Sequence, residues 1–442
     1  MFKLLFIFIL GALNGLAFAP LYYVFVLFIS FSTFFCILLR YKRAWQVLIG
    51  SYIYTLAYYL STIYYLTLSL FGGTHGNLRE TFYLLLKLLW IAISVYIVPS
   101  LAGITTWLTP VTGYRKIIIF AVYWAIGSWF VGSILTIPPL GLTGYAFGFN
   151  DAFAQGASLF GIYGLTFFAV LITTAPAVLF MRENSRTKGT FLSMIFLLVI
   201  GLYAWGTWRL SHAHLNYWPD PVIRLVQTDV SYEAKVKNFY QEFNKLIALS
   251  TVKGHNPSPR YIIWPEGSLN EVFAEGLDLD FKTRHLFMHV ISKVAPSGGA
   301  IIFGLERIVL KSDALTHKID NIWNISAIDI RDIYNTLFAV GENDKMLAVY
   351  DAVNLVPFAE YRPAYDIFLT FNLLQALRTS SPYKTLDYKS GKHHQTLNLD
   401  MLPPFSPLVC YEQLFPGDAI AYGKKRPAWM LVIANDGSIT SF

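Results

Sequence analysis

Thr190-Phe191-Leu192-Ser193-Met194-Ile195-Phe196-Leu197-Leu198-Val199-Ile200-Gly201-Leu202-Tyr203-Ala204-Trp205-Gly206-Thr207-Trp208 carries no charged side chain. Wound as a helix it reaches across a hydrocarbon layer of about 30 Å. Before it, similar apolar runs occupy 2–19, 21–39, 46–70, 82–109, 117–137 and 157–181. After it the pattern changes, and from Val222 onward charged residues and short apolar segments alternate as in a globular domain. The chain therefore reads as a multi-span α-helical membrane bundle of about seven spans over 1–210, followed by a water-soluble α/β domain over 220–442. Composition agrees: of 442 residues 55% are hydrophobic and 14% charged, whereas soluble domains carry about a quarter charged.

The basic residues set an orientation. Arg40, Lys42 and Arg43 fall between spans two and three, Arg115 and Lys116 between four and five, and Arg182, Arg186 and Lys188 between six and seven. With alternating spans all three clusters share one side, which the positive-inside rule makes cytoplasmic. The opposite loops are poor in positive charge: 71–80 has Arg79 beside Glu80, and 138–156 has only Asp151. Seven crossings place everything after residue 210 outside, which in a Gram-negative cell is the periplasm. The net charge of +7 is thus assigned to topology, and no nucleic-acid partner is expected. Lys3 and the stretch ending Ala17-Phe18-Ala19 imitate a secretory signal, but Pro20 and six further spans mark an uncleaved helix.

Aromatics at the span ends (Tyr22, Tyr23, Trp45, Trp205, Trp208, Trp218) read as an interfacial belt. The loop Pro138–Gly148 reads either as a re-entrant turn or as the lining of a lipid route. Cys36 sits in an apolar run as a small buried hydrophobe. A disulfide from it to Cys410 would join a lipid-buried residue to the soluble domain, so Cys410 is expected to be a free thiol.

In the soluble half, Ile223–Gln227, Tyr261–Trp264, Ala300–Phe303, Asn324–Ile330, Lys345–Tyr350, Leu408–Tyr411 and Trp429–Ala434 read as strands. Residues 232–250 and 282–294 read as helices, the first with Phe239, Phe243, Leu246 and Ile247 at helical spacing. Alternating strands and helices indicate a layered α/β domain. Three polar groups stand at strand ends: Glu266 after Ile262–Trp264, Glu360 after Leu355–Ala359, and Cys410 after Pro407–Val409, with Glu412 two residues on. Singly, each reads as a surface carboxylate or a core cysteine. Together they place a thiol beside carboxylates where α/β folds build sites, and a carboxylate can serve as the base that generates a thiolate.

Trp264-Pro265-Glu266, Leu355-Val356-Pro357-Phe358-Ala359-Glu360-Tyr361 and Val409-Cys410-Tyr411-Glu412 resemble the three active-site motifs of the nitrilase superfamily. The last two resemble most closely the apolipoprotein N-acyltransferase family, as do Gly144-Tyr145-Ala146-Phe147 and Gly161-Ile162-Tyr163-Gly164-Leu165. The resemblance implies an α-β-β-α nitrilase-like sandwich behind a bacterial inner-membrane bundle. It also implies transfer of an acyl chain from a phospholipid to the α-amine of a lipoprotein's diacylated N-terminal cysteine, through a thioester. Cys410 would be the nucleophile, Glu266 the general base, and Glu360 and Glu412 supporting carboxylates. The implied partners are phospholipid, diacylated apolipoproteins and the bilayer, with no cofactor and no second subunit. Residues 364–377, with Ile367, Phe368, Phe371 and Leu374 at helical spacing, read either as an amphipathic lid or as plain core.

The chain departs from the family's pattern at Tyr350-Asp351-Ala352-Val353-Asn354. Ala352 stands where the family carries a catalytic lysine, and Asn354 where histidine is common. The lysine's charge serves the oxyanion, and losing one such donor typically costs about 10²–10³ in rate. Lys345, seven residues upstream, is more than about 20 Å away along a strand and is not expected to replace it. After Asn435-Asp436 the chain reads Gly437-Ser438-Ile439-Thr440 and stops at Phe442, so the domain is expected to be truncated. Two other readings stand beside the enzyme: an inert relative that binds lipid or lipoprotein without turnover, and a membrane-tethered amidase. No metal-ligand cluster or phosphate-cradling loop is legible. His393-His394 reads as solvated, and Asn324-Ile325-Ser326 as a chance glycosylation pattern.

Overall fold

The computed structural model describes residues 2–62, 99–134, 141–214, 220–228, 239–252, 258–269, 272–275, 286–311, 329–356, 360–361, 387–415, 417–421, 423 and 426–435. The 71–80 loop, Pro138–Leu140, Trp218, Asn324–Ser326, Pro357–Ala359, segment 364–377 and the chain after Asn435 lie outside the described residues. The chain divides into two compact units, Met1–Leu215 and Asn216–Phe442.

In the first unit the helices are α1 (Phe2–Leu13), α2 (Phe25–Leu39), α3 (Ala44–Thr62), α4 (Arg115–Trp129), α5 (Ala157–Thr174) and α6 (Ser185–Ser211), with a further helical stretch over 99–108. Among the described residues, three helical runs are long and apolar enough to cross a membrane: Arg115–Ser133, Ala157–Phe180 and Ser185–Ser211. Phe2–Ala17 and Phe25–Leu39 are apolar but shorter. The described residues therefore support a membrane bundle without fixing seven crossings. Gly11 lets α1 lie directly on α3, because a Cβ there would stand 2.3 Å from the Tyr54 carbonyl oxygen. Small residues at such crossings bring helix backbones together where lipid supplies no hydrophobic drive. The interior is aromatic: Phe34 stacks on Tyr54 at 3.9 Å, and Phe31 meets Trp124 edge-on at 5.2 Å.

The described part of the 138–156 loop folds back on this bundle. Thr143–Phe149 forms a 3₁₀ helix, and Asn150 caps the short helix Asp151–Ala154 by accepting from the Ala152 and Phe153 N–H groups. The Tyr58 hydroxyl donates to the Gly141 carbonyl at 2.8 Å, and the Gly144 N–H donates to Thr166 Oγ1 at 3.2 Å. Polar backbone of this irregular segment is thereby satisfied from α3 and α5.

The second unit holds two sheets. The larger consists of β1 (Ile223–Leu225), β2 (Tyr261–Ile263), β4 (Ala300–Leu310), β5 (Ile330–Val340) and β6 (Met346–Asp351) in that order, with β3 (Val272–Glu275) also on β4. Neighbours run parallel from β1 to β4 and antiparallel from β4 to β6. The smaller has β7 (Leu397–Leu399), β8 (Leu402–Val409) and β9 (Trp429–Ile433), with β8 central. Strand alternation gives the larger sheet two apolar faces. Ile262, Ile301, Phe303 and Phe338 pack with Phe243 and Leu246 of helix α7 (Phe239–Ser250) and with Met288 and Ile291 of helix α8 (Leu286–Val294). Tyr261, Ile263, Ile302 and Leu337 pack against Phe405, Val409, Leu431 and Ile433 of the smaller sheet. The described layers are thus helix, mixed sheet, mixed sheet.

Of the expected strand Asn324–Ile330, residues 324–328 lie outside the described residues; β5 takes its last residue, Ile330, and runs on to Val340. Arg331 and Asp332 interrupt the apolar pattern there, but they pair with each other at the solvent-facing start of the strand, so the ladder continues past them.

Candidate active site

The site lies in the second unit, on the side of the larger sheet that faces the smaller one. Trp264, fully buried, still pairs with β4 through its N–H to the Ile302 carbonyl at 2.8 Å, and its indole donates to Ser250 Oγ at 2.9 Å. Pro265 has no N–H with which to continue the ladder, and Gly267, at φ +55°, turns the chain so that Glu266 is presented. The turn needs Gly304 beneath it: a Cβ at that position would stand 2.9 Å from Glu266 Cα.

Cys410 follows β8 directly and opens the 3₁₀ turn Cys410–Leu414. Its φ is +50°, a left-handed conformation that costs a non-glycine residue roughly 1–2 kcal/mol and recurs where a functional side chain is aimed. Its thiol hydrogen-bonds to the Glu266 carboxylate. Burial raises the thiol pKa first, and the neighbouring Glu266 and Glu360 carboxylates raise it further. At rest it is a neutral thiol, contrary to the depressed pKa that a free-standing thiolate nucleophile would have. The physical reason is burial first and then the two neighbouring carboxylates, which no lysine or arginine among the described residues pairs with.

Asn335 of β5 ties the carboxylates together. Its amide nitrogen donates to Glu266 Oε1 at 2.8 Å and to Glu360 Oε1 at 3.0 Å. Glu360 Oε2 accepts from the Val356 N–H at 2.8 Å. Burial pushes the Glu360 carboxyl up to about 7, with Glu266 and Glu412 adding to the rise and the two hydrogen bonds opposing it. Glu306, directly across from Asn335 in the β4–β5 register, accepts from the Tyr388 hydroxyl, and burial raises its pKa as well. Sequence reading missed Asn335 and Glu306, since neither stands at a strand end.

Glu412 is differently placed. It is fully buried, and its Oε1 accepts from the Tyr350 hydroxyl at 2.8 Å and the Val353 N–H at 2.7 Å. Its Oε2 accepts from the Val409 N–H at 2.8 Å. It clamps the chain after β6 to the end of β8, so it holds the cysteine loop in place. His394, expected to be solvated, has its Nδ1 3.2 Å from the Tyr350 hydroxyl and 3.9 Å from Glu412 Oε1. Burial lowers its pKa, so it stays neutral near pH 7. The pair His393-His394 gave no sign of this because the contact is made across 44 residues.

Ala352 lies on the same side of the sheet, 2% exposed. Its N–H donates to the Asn335 carbonyl at 2.8 Å, and its carbonyl accepts from the Gly391 N–H at 2.7 Å. A longer side chain at 352 would start beside the residue that bridges Glu266 and Glu360. Lys345 sits at the opposite end of β6, where its backbone closes the turn with Gly341 and Glu342. Among the described residues, no lysine or arginine pairs with Glu266, Glu360 or Glu412.

Residues 10–175 match the family model described as "Apolipoprotein N-acyltransferase N-terminal domain". The chain is 27% identical over 331 residues to the apolipoprotein N-acyltransferase of Rhodopseudomonas palustris, a match covering 73% of this chain and 56% of that protein. It is 26% identical over 411 residues to the Rickettsia prowazekii enzyme of the same name, covering 92% and 74%. Against the Caulobacter vibrioides protein, also so named, identity is 30% over 315 residues, covering 70% and 54%. The match thus spans little more than half the length of two of these relatives, all three of which are by name acyltransferases.

Proposed function

From its kinship with the apolipoprotein N-acyltransferases, of which this chain is a relative, we propose that it transfers an acyl chain from a phospholipid to the α-amine of a lipoprotein's diacylated N-terminal cysteine. The observation that carries this reading is the Cys410 thiol held on the Glu266 carboxylate at the end of a strand, in a left-handed turn. Glu266 takes the thiol proton as the sulfur attacks the ester carbonyl of the donor. The tetrahedral intermediate collapses to a thioester on Cys410, and the lysophospholipid leaves with that proton. The lipoprotein amine then attacks the thioester and gives its own proton to Glu266. An amide forms, and the departing thiolate recovers a proton as Cys410–SH. Because the resting thiol is neutral, proton removal and attack must be concerted, and a neutral thiol beside a general base suits that.

Asn335 orients both carboxylates in this reading. Glu360, held near neutrality, limits negative charge around the sulfur, and Glu412 acts through the loop it clamps. The helix–sheet–sheet layering supports a nitrilase-like sandwich of the α-β-β-α kind. The apolar helices and the basic clusters support a multi-pass inner-membrane protein whose catalytic domain faces the periplasm. Both substrates are lipids, which explains a membrane unit on the same chain.

A second reading is favoured by one feature. Ala352 is packed into the space between the sheets, and among the described residues no lysine or arginine pairs with the carboxylates beside the raised thiol, as in an inert lipid- or lipoprotein-binding relative. The test is acyl transfer to a diacylated lipopeptide by membranes carrying the chain, alongside Cys410→Ala and Ala352→Lys. The enzyme reading expects transfer by the native chain, none with Cys410→Ala, and faster turnover with Ala352→Lys. Transfer only in Ala352→Lys would establish the inert reading, and transfer surviving Cys410→Ala would overturn the thioester.

A further inference from the structure

His394 reaches the site by a short wrap of chain around the end of β6, the edge strand of the larger sheet. Ser390 Oγ donates to the Val353 carbonyl at 2.6 Å, and the Gly391 N–H donates to the Ala352 carbonyl at 2.7 Å. The approach is close: a Cβ at Gly391 would stand 2.2 Å from the Asp351 carbonyl oxygen. Three residues on, the His394 side chain is only 12% exposed. Its Nδ1 lies 3.2 Å from the hydroxyl oxygen of the fully buried Tyr350.

The direction of this contact is fixed by counting hydrogens. The Tyr350 hydroxyl has one, and gives it to Glu412 Oε1 at 2.8 Å. Its oxygen can then only accept from His394, so the single N–H of the neutral imidazole stands on Nδ1. The three side chains form a directed chain, imidazole to phenol to carboxylate, in which the bond the phenol accepts strengthens the one it donates. Glu412 in turn holds both sides of the site. It accepts from the Val409 N–H, just before Cys410, and from the Val353 N–H, just after Ala352. Cys410 needs such support, because its φ of +50° persists only where the surroundings over-determine it.

We propose that His394 is a positioning residue for Cys410: as first donor in the chain through Tyr350 to Glu412, it keeps the cysteine turn clamped to the end of β6. This role rests on the acyl-transfer reading in taking Cys410 as the nucleophile. His394 itself touches no reacting atom.

The test is hydrogen–deuterium exchange of the full chain in maltoside, read by mass spectrometry on the peptides that carry Val353 and Val409. In His394→Leu both should exchange about fivefold faster, the net worth of one hydrogen bond. In Tyr350→Phe, which removes a bond to a charged acceptor, the gain should be about tenfold or more. His394→Asn, whose side-chain amide puts an N–H where Nδ1 stood, should restore the native rates. The buried strand Tyr261–Ile263 should exchange alike in all versions. In acyl transfer to a diacylated lipopeptide, kcat should fall in the same order with KM unchanged. Unchanged exchange at Val353 and Val409 in His394→Leu would overturn the proposal. So would failure of His394→Asn to restore them, or faster exchange in Tyr261–Ile263 as well, which would mean general loosening. Transfer by the native chain with an unaltered kcat in His394→Leu would overturn the positioning role and leave the enzyme reading standing. Exchange moving as expected while no version transfers acyl groups would support the clamp and overturn the enzyme reading alone.

Discussion

Tyr54 in the first unit and Glu412 in the second are both fully buried polar side chains, yet they are held by different means. The Tyr54 hydroxyl meets only side chains of neighbouring helices, Ser30 Oγ at 2.8 Å and the Asn14 amide at 3.3 Å. Glu412 gathers backbone N–H groups from two segments as well as a phenol. A neutral hydroxyl in an apolar bundle needs one or two partners, whereas a buried carboxylate needs nearly every lone pair engaged. Helices consume their own N–H groups, but strand ends leave theirs free. That is why the second unit can carry a carboxylate cluster, while the described helices of the first are tied by hydroxyls, an amide and aromatic rings.

The comparison can be broken by substitution. The largest effect is expected for Glu412→Gln, whose amide NH₂ must face at least one of the N–H or O–H donors now satisfied. A loss of about 3–5 kcal/mol is expected, read as a lowered thermal midpoint of the purified full chain in detergent. An unchanged midpoint would mean that the clamp carries no load.

Glu360→Gln sharpens the comparison through pH. The Glu360 carboxyl is raised from 4.5 to about 7 in the folded chain, so between those values the folded state keeps a proton that the unfolded state has released. Its contribution is fully present below 4.5 and is lost as pH rises through 7, at most on the order of 3 kcal/mol. The native chain should therefore lose thermal stability between pH 5 and pH 8 more steeply than Glu360→Gln. Parallel pH profiles would show that Glu360 is ionised throughout.

Tyr54→Phe should have the smallest effect. It removes the hydroxyl but keeps the ring stacked on Phe34, and hydrogen bonds between membrane helices average about 0.6 kcal/mol. A shift of only a degree or two in thermal midpoint is expected. A collapse comparable to Glu412→Gln would erase the distinction between the two units.

The residues legible in sequence were those whose local surroundings announce them. Glu266 and Cys410 stand where an apolar strand stops, and Pro265 and Gly267 mark one such stop; Glu360 follows the apolar run Leu355–Ala359, whose described residues, 355 and 356, are not in a strand. Asn335 was invisible because it sits inside β5, a strand whose charged start, Arg331-Asp332, hides its beginning. Glu306 lies mid-strand on β4, and only the antiparallel register with Asn335 gives it a place beside the site. His394 looked solvated because its partners, Tyr350 and Glu412, are distant in the chain.

The sequence by itself determined the apolar helices of the first unit, the change of character after α6, the strand-and-helix alternation of the second, and the unusual residue at 352. Burial in a helix or strand is written in periods of a few residues, which a linear reading can detect. Only the tertiary structure decided that Asn335 bridges two carboxylates and that Glu412 clamps a loop. It alone also decided that Ala352 fills core beside them, and that the thiol of Cys410 is pushed up rather than down. These depend on register between strands and on which charges share a low-dielectric space, and neither is written in the spacing of residues along the chain.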